Sequence, residues 1–279
     1  MKTFLEYTQL QERQIQYGKN ANYGQIVFFA GGAASGKGFS IANFIDATKF
    51  RIRDVDQLKS QMTRMDSLLK KYPELKDLKL SDPQAVFRLH QIAKIERLPE
   101  KQMTALIGGQ QYPQNLPNLL FDTTLKDLDD IDTYMPQFLR IGYQPENVHI
   151  TWVLTDYSVA IVRNRQRERV VPDDIMLKTH TGAALTIAHL LRAGLPRSIN
   201  GSFTVILNNP EEVTFYEKPG KDGVTIPTRT VKDFTYIKLK QEGRPMPSYL
   251  EMESRIRETL YHWVIQNAPR SAEIRRQYQ

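Results

Sequence analysis

No cysteine occurs in the 279-residue chain, so disulfide bridges, thiolate nucleophiles and zinc–thiolate sites are excluded. Histidine is scarce. None of the five is spaced as H-x-x-x-H or H-E-x-x-H, and each is expected to be structural or at the surface. Long apolar runs are missing as well: none approaches the ~20 residues needed to span a bilayer. The segment Met1 to Tyr17 lacks the apolar centre of a secretory leader. These gaps predict a cytoplasmic protein. The chain also has no internal repeat, no low-complexity tract and no Asn-Lys-x-Asp motif, which leaves a GTPase switch weakly supported.

What is present suits a folded protein, with 41% hydrophobic and 25% charged residues. The length accommodates one large α/β domain, or a core with a small appendage. Lys and Arg outnumber Asp and Glu by 38 to 31, giving a formal charge of +7. That balance favours polyanionic company: a nucleotide, a nucleic acid or a phosphorylated metabolite. The excess is spread along the chain and does not choose among them.

The informative segment is residues 25–40. An apolar run, Ile26 to Ala30, enters the loop Gly31-Gly32-Ala33-Ala34-Ser35-Gly36-Lys37-Gly38-Phe39, and a helix-compatible stretch follows to Ala47. Gly31, Gly36 and Lys37 fall on the spacing G-x-x-x-x-G-K of a phosphate loop. Small residues let successive backbone N–H groups converge on phosphate oxygens, the helix start adds partial positive charge, and Lys37 reaches the β- and γ-phosphates. A flexible Gly/Ala turn is the bland alternative. Strand before and helix after argue for the phosphate loop. Position 38 is Gly where most such loops carry a Mg²⁺-binding Ser or Thr, and the Gly-Lys-Gly version resembles that of adenylate kinases.

Strand-like runs recur at 49–55, 119–121, 148–154 and 202–207, separated by helical patterns that include 133–140, 158–169 and 173–193. Strand–helix alternation of this kind predicts an α/β fold built on a parallel sheet of about five strands with helices on both faces. Residues 57–117 read as a mainly helical insertion after the second strand. Residues 1–20 read as an N-terminal helical arm, 21–210 as the core, and 211–279 as a small α+β extension. That extension holds a hairpin around Lys-Pro-Gly-Lys-Asp-Gly and a helix from Ser248 to Gln266 with a Ser248/Glu251 capping box.

Phosphoryl transfer needs a carboxylate for the accepting hydroxyl, one for the metal, and arginines for the transferring group. Asp54 and Asp56 close the second strand. Were the strand to persist that far, residues two apart would share a face; otherwise both are solvated acids in a turn. Asp122 ends an apolar strand, as a metal-side carboxylate does, with a helix cap as the alternative. Arg163, Arg165, Arg167 and Arg169 alternate along one helix. Helical spacing puts Arg163 with Arg167 on one face and Arg165 with Arg169 on nearly the opposite one, so one pair at most clamps phosphates. Asn208 and Asn209 follow the last core strand, close to where a nucleotide base would sit.

The loop, the segment Arg53 to Lys59, the run Asn118 to Leu125, and the arginine-bearing helix after Thr155-Asp156-Tyr157 together resemble zeta-toxin-type P-loop kinases, relatives of polynucleotide kinases. The resemblance covers roughly residues 24–209. It implies ATP with Mg²⁺ as donor and transfer of the γ-phosphate to a hydroxyl, with Asp122 toward the metal and Lys37, Arg163 and Arg167 on the phosphates. It also implies an aspartate base at the end of the second strand. The zeta-toxin pattern points to Asp56, which we favour slightly, and the polynucleotide-kinase pattern to Asp54. Acceptors in the family include a UDP-amino sugar, and among relatives nucleic-acid 5′ ends and hydroxymethylated bases. Zeta toxins carry Gly-Thr after the third strand where this chain has Thr123-Thr124, which leaves the acceptor open. A binding-only reading also stands, in which Gly38 marks a decayed site.

Overall fold

A computed structural model describes residues 15–18, 23–80, 82–107, 116–167, 170–208, 213–219, 225–231 and 235–268; for 55, 56, 83, 213–219, 225–231 and 235 it describes the backbone only. The expected N-terminal helical arm over 1–20 lies mostly outside the described residues, and Asn209 and Arg169 lie outside them. Strands are β1 (Ile26–Ala30), β2 (Arg51–Asp54), β3 (Leu119–Asp122), β4 (Val148–Leu154), β5 (Phe203–Leu207), β6 (Val213–Pro219), β7 (Thr225–Val231) and β8 (Thr235–Lys240). Helices are α1 (Lys37–Phe44), α2 (Val55–Met62), α3 (Asp66–Lys71), α4 (Pro83–Ile95), α5 (Leu98–Ile107), α6 (Asp129–Arg140), α7 (Tyr157–Arg165), α8 (Asp173–Ala193) and α9 (Ser254–Asn267). No helix among the described residues is long and apolar enough to cross a membrane.

The main sheet has the order β2-β3-β1-β4-β5-β8, with β1 to β5 parallel and β8 antiparallel to β5. The five parallel strands match the expectation, and β8 is an addition to it. β1 is central and every one of its residues is buried, which is why its sequence is an unbroken apolar run rather than an alternating one. Ile26, Phe28 and Ala30 join one apolar layer with residues of α6, α8 and α9. Val27 and Phe29 face the other way, against Ile41 and Phe44 of α1. Helices therefore cover both faces, and each large side chain so buried contributes on the order of 1.5–3 kcal/mol. Residues 235–268, grouped by sequence with the extension, add β8 to the sheet and bury Leu260, Val264 and Ala268 of the α9 segment in the first layer. The hairpin is present as β6 paired with β7.

Several boundaries differ from the expectation. β2 is shorter, because the chain turns into α2 at Val55. Pro172 occupies the N-cap of α8, and Asp173 stands in its first turn. Ser248 and Glu251 do pair, Ser248 N–H donating to Glu251 Oε2 at 2.8 Å, but they close an isolated turn and α9 starts only at Ser254. The insertion after β2 is helical as expected and builds its own apolar cluster from Leu58, Met62, Leu68, Leu75, Leu89, Ile92 and Leu98.

A polar knot fastens the far end of the sheet. His149 on β4 is fully buried. Ser202 N–H donates to its Nδ1 at 2.9 Å, so the ring proton sits on Nε2 and is given to Gln25 Oε1 at 2.8 Å. Burial, reinforced by Lys238 and Lys240, pushes the imidazole pKa down to about 3. The unfolded chain takes up this proton near pH 6.5 and the native one only near pH 3, so stability is complete above 6.5 and drains as the pH falls between those values. The slope is about 1.4 kcal/mol per pH unit. Urea unfolding at pH 7, 6, 5 and 4 is expected to show His149→Gln less stable at neutral pH but with a shallower acid loss than wild type. Equal slopes would assign the acid sensitivity elsewhere.

Candidate active site

The loop after β1 owes its shape to where its carbonyl oxygens are held. Thr155, at the end of β4, donates its hydroxyl to Ser35 O at 2.7 Å, and Asn208 Nδ2 donates to the same oxygen at 2.7 Å. His180 Nε2 stands 2.8 Å from Ala33 O. In a trans peptide the C=O and the following N–H point opposite ways. Anchoring these two carbonyls on the protein therefore turns the N–H groups of Ala34 and Gly36 to the other side, as an anion cradle requires.

Two glycines are obligatory. Gly31 has φ 144°, and a β-carbon there would lie 2.5 Å from Val153 O. Gly36, the N-cap of α1, has φ 91°, and its β-carbon would lie 2.1 Å from Asn208 Nδ2. Ala34 is also left-handed, at φ 57°, a conformation costing roughly 1–2 kcal/mol for a residue with a β-carbon. Gly38 stands in the first turn of α1 with open space around it, and Phe39 leans on the apolar layer beneath α1.

Lys37 lies across the loop mouth. Its ammonium donates to Gly31 O at 3.0 Å and Gly32 O at 3.2 Å, and it stands 3.7 Å from Asp122 Oδ1. Asp122 ends β3 as expected, beside the lysine rather than as a helix cap. Asp54 ends β2 in direct register with Asp122, so the two carboxylates occupy neighbouring strand ends on the same face. Asp54 Oδ1 accepts from Gln57 N–H at 3.1 Å and so caps α2. Among the described residues no group of three or more His, Cys, Asp or Glu could hold a metal by itself. Two carboxylates do suit Mg²⁺, whose remaining ligands are phosphate and water oxygens.

Two expectations need correction. Asp56 does not share a strand face with Asp54, because β2 ends at Asp54 and Asp56 is in the first turn of α2; its side chain lies outside what is described. Nor does Arg167 share a helical face with Arg163. Asn164 binds Val171 at both backbone groups, its Nδ2 donating to Val171 O at 2.6 Å and its Oδ1 accepting from Val171 N–H at 2.9 Å. That clasp folds the chain over, so α7 stops at Arg165 and Arg167 sits in the turn beyond it. Arg163 reaches the loop, with Nη1 3.5 Å from where a Gly36 β-carbon would be. Arg165 pairs at the surface with Asp173 at 3.6 Å.

His180, Thr155 and the anchoring role of Asn208 escape sequence reasoning. His180 is fully buried on α8, with its ring where a Gly32 side chain would be: a β-carbon there would lie 2.5 Å from it. Carbonyl oxygens approach both ring nitrogens and favour its protonated form. Burial opposes them and prevails, so its pKa lies below that of an ordinary histidine. Thr155, directly after a buried strand and before an N-cap aspartate, and Asn208, after the last core strand, carried positional hints, and His180 carried none.

No curated protein matches the chain. Solved structures with similar folds include the AvrRxo1-ORF1:-ORF2 complex with ATP, at 12% identity and a TM-score of 0.48, covering 90% of this chain and 65% of that one. The chain thus spans about two thirds of that protein. The PezAT toxin–antitoxin system of Streptococcus pneumoniae is similar at 11% identity, covering 96% and 97% of the two chains with a TM-score of 0.44. Deoxyadenosine kinase from M. mycoides with bound dATP is 16% identical over 65% of this chain and 89% of that one, with a TM-score of 0.35. The family model described as Zeta toxin matches residues 8–219, most of the chain and all of the loop and strand ends described above. With its kinase-like P-loop nucleotide-binding fold, the chain belongs to the zeta toxin family.

Proposed function

We propose that the protein is an ATP-dependent phosphotransferase that moves the γ-phosphate of ATP to a hydroxyl of a nucleotide-sugar, a nucleoside or a nucleic acid. The observation that carries this reading is the meeting of Lys37 and Asp122 at the mouth of the glycine loop, 3.7 Å apart, with Asp54 in register beside them. A binding-only protein has no physical need for that cluster, although Gly38 offers no hydroxyl to a metal.

On ATP binding, Lys37 exchanges the Gly31 and Gly32 carbonyls for phosphate oxygens, and the loop N–H groups hold the β-phosphate. Asp122, with Asp54 or water, would hold Mg²⁺, which when bound neutralises charge on the β- and γ-phosphates. Arg163 stands beside Gly36 and adds positive charge to the transferring group. Asp56 takes the proton of the acceptor hydroxyl as its oxygen bonds to the γ-phosphorus, and the bond to the leaving ADP oxygen breaks. Asp54, occupied as the cap of α2, is the alternative base. In this reading residues 21–210 are the catalytic core, with 57–117 on the acceptor side and 158–172 an arginine-rich lid. Residues 1–20 and 211–279 are attachments to it, and the protein works in the cytoplasm.

Transfer of labelled phosphate from ATP, screened over UDP-sugars, nucleosides and nucleic acids, tests the proposal. Lys37→Ala and Asp122→Asn are each expected to lower transfer by about 10²–10³-fold with the circular dichroism spectrum unchanged. Equal turnover by wild type and Lys37→Ala would reject an enzyme here. Asp56→Asn should lower kcat by about 10²-fold or more at unchanged stability, whereas Asp54→Ala should also cost about 1 kcal/mol through loss of its cap.

Gly38→Ser is expected to be accommodated, since nothing lies within 4 Å of the added β-carbon. It restores the usual hydroxyl, so half-maximal activity should come at a several-fold lower Mg²⁺ concentration. A titration of activity against Mg²⁺ in both proteins measures this, and an unchanged requirement would remove position 38 from the metal's surroundings.

A further inference from the structure

We infer that His180 and Asn267 act as positioning residues, through which the C-terminal helix α9 fixes the phosphate loop and sets the affinity for nucleotide. The inference rests on the loop's reading as a nucleotide site. The chain of contacts is continuous. Asn267, the last residue of α9, is fully buried. Its Nδ2 donates to the His180 backbone carbonyl at 3.2 Å, and its Oδ1 and backbone O lie 3.1 and 3.2 Å from His180 Nδ1. The opposite ring nitrogen, Nε2, meets Ala33 O at 2.8 Å. The Tyr157 ring packs against the imidazole near-perpendicularly, with centroids 5.3 Å apart. Gly32, lacking a side chain, lets the ring lie flush against the loop.

The imidazole is fully enclosed, and the contacts of His180 with Ala33 and Asn267 connect segments far apart in sequence. A carbonyl can only accept, so the Ala33 contact requires the proton on Nε2, and Nδ1 of the neutral ring then has none to give to the Asn267 oxygens; Asn267 holds His180 through the bond to its backbone carbonyl. The bond to Ala33 orients the peptide whose N–H, on Ala34, belongs to the anion cradle. Displacing the end of α9 thus turns a donor away from the phosphates. The family match stops at residue 219, so α9, anchored in the core by Leu260 and Val264, contributes to the site from beyond it.

Replacing His180 by two amides of different reach separates orientation from mere packing. Gln places its amide nitrogen about where Nε2 stands, and the shorter Asn cannot reach Ala33. With full-length protein and ATP measured by calorimetry, His180→Gln is expected to bind within about threefold of wild type and His180→Asn about tenfold more weakly, at similar urea midpoints. Asn267→Ala, which touches no part of the loop, should weaken ATP binding about three- to fivefold and serves if the His180 variants fail to fold. Wild-type affinity in His180→Asn or Asn267→Ala would overturn the inference, as would equal loss in the Gln and Asn variants. Absence of ATP binding by the wild-type protein would instead overturn the nucleotide reading itself.

Discussion

The fixed direction of a few peptide carbonyls is the constraint on which the rest of the site depends. A glycine-rich loop left to itself samples many shapes, and its N–H groups converge only in a small fraction of them. Here Thr155, Asn208 and His180, from three different parts of the chain, hold the Ser35 and Ala33 oxygens from behind. The strain at Ala34 is met by these anchors, so the cradle exists before any ligand arrives and binding need not spend entropy to form it. Lys37 lies in the mouth on two of the loop's own carbonyls and close to Asp122, an arrangement that phosphate oxygens can replace at little cost.

Sheet topology supplies the second half of the arrangement. The chain passes from β1 to the outer strand β2 and returns by β3, while β4 lies on the other flank. The order of strands therefore reverses beside β1, and the carboxyl ends there open a crevice. Asp54 and Asp122 lie on one side of it in register, Thr155 follows β4 on the other, and Asn208 follows β5. Side chains distant in sequence meet because parallel strands end at one level.

Much of this was legible in the sequence, and the reasons are local. β1 and β4 are buried on both faces and declare themselves as continuous apolar runs beside recognisable loop residues. The G-x-x-x-x-G-K spacing works because backbone geometry admits no β-carbon at Gly31 or Gly36. Tertiary choices were not legible. β8 alternates over four residues, Ile237 and Leu239 inward against Tyr236 and Lys238 outward, before Lys240 is buried at its end, and so short a pattern does not say which edge it will join. Arg167 was misplaced because the bond between Asn164 and Val171 outweighs the helical propensity of the arginine run. His180 carries no motif, and its role appears only when α8 is laid against the loop.

The separate apolar cluster of the segment between β2 and β3 has a consequence for how such a protein can diversify. Its leucines and methionines mesh chiefly with one another rather than with the sheet, so substitutions within it need not disturb the strand ends. Selection can reshape this appended body, lengthening a turn or changing a surface, while the glycine loop stays intact. Under the proposed function, which sets this segment on the acceptor side, a lineage built on this plan is free to change what receives the phosphate without reinventing how the phosphate is held.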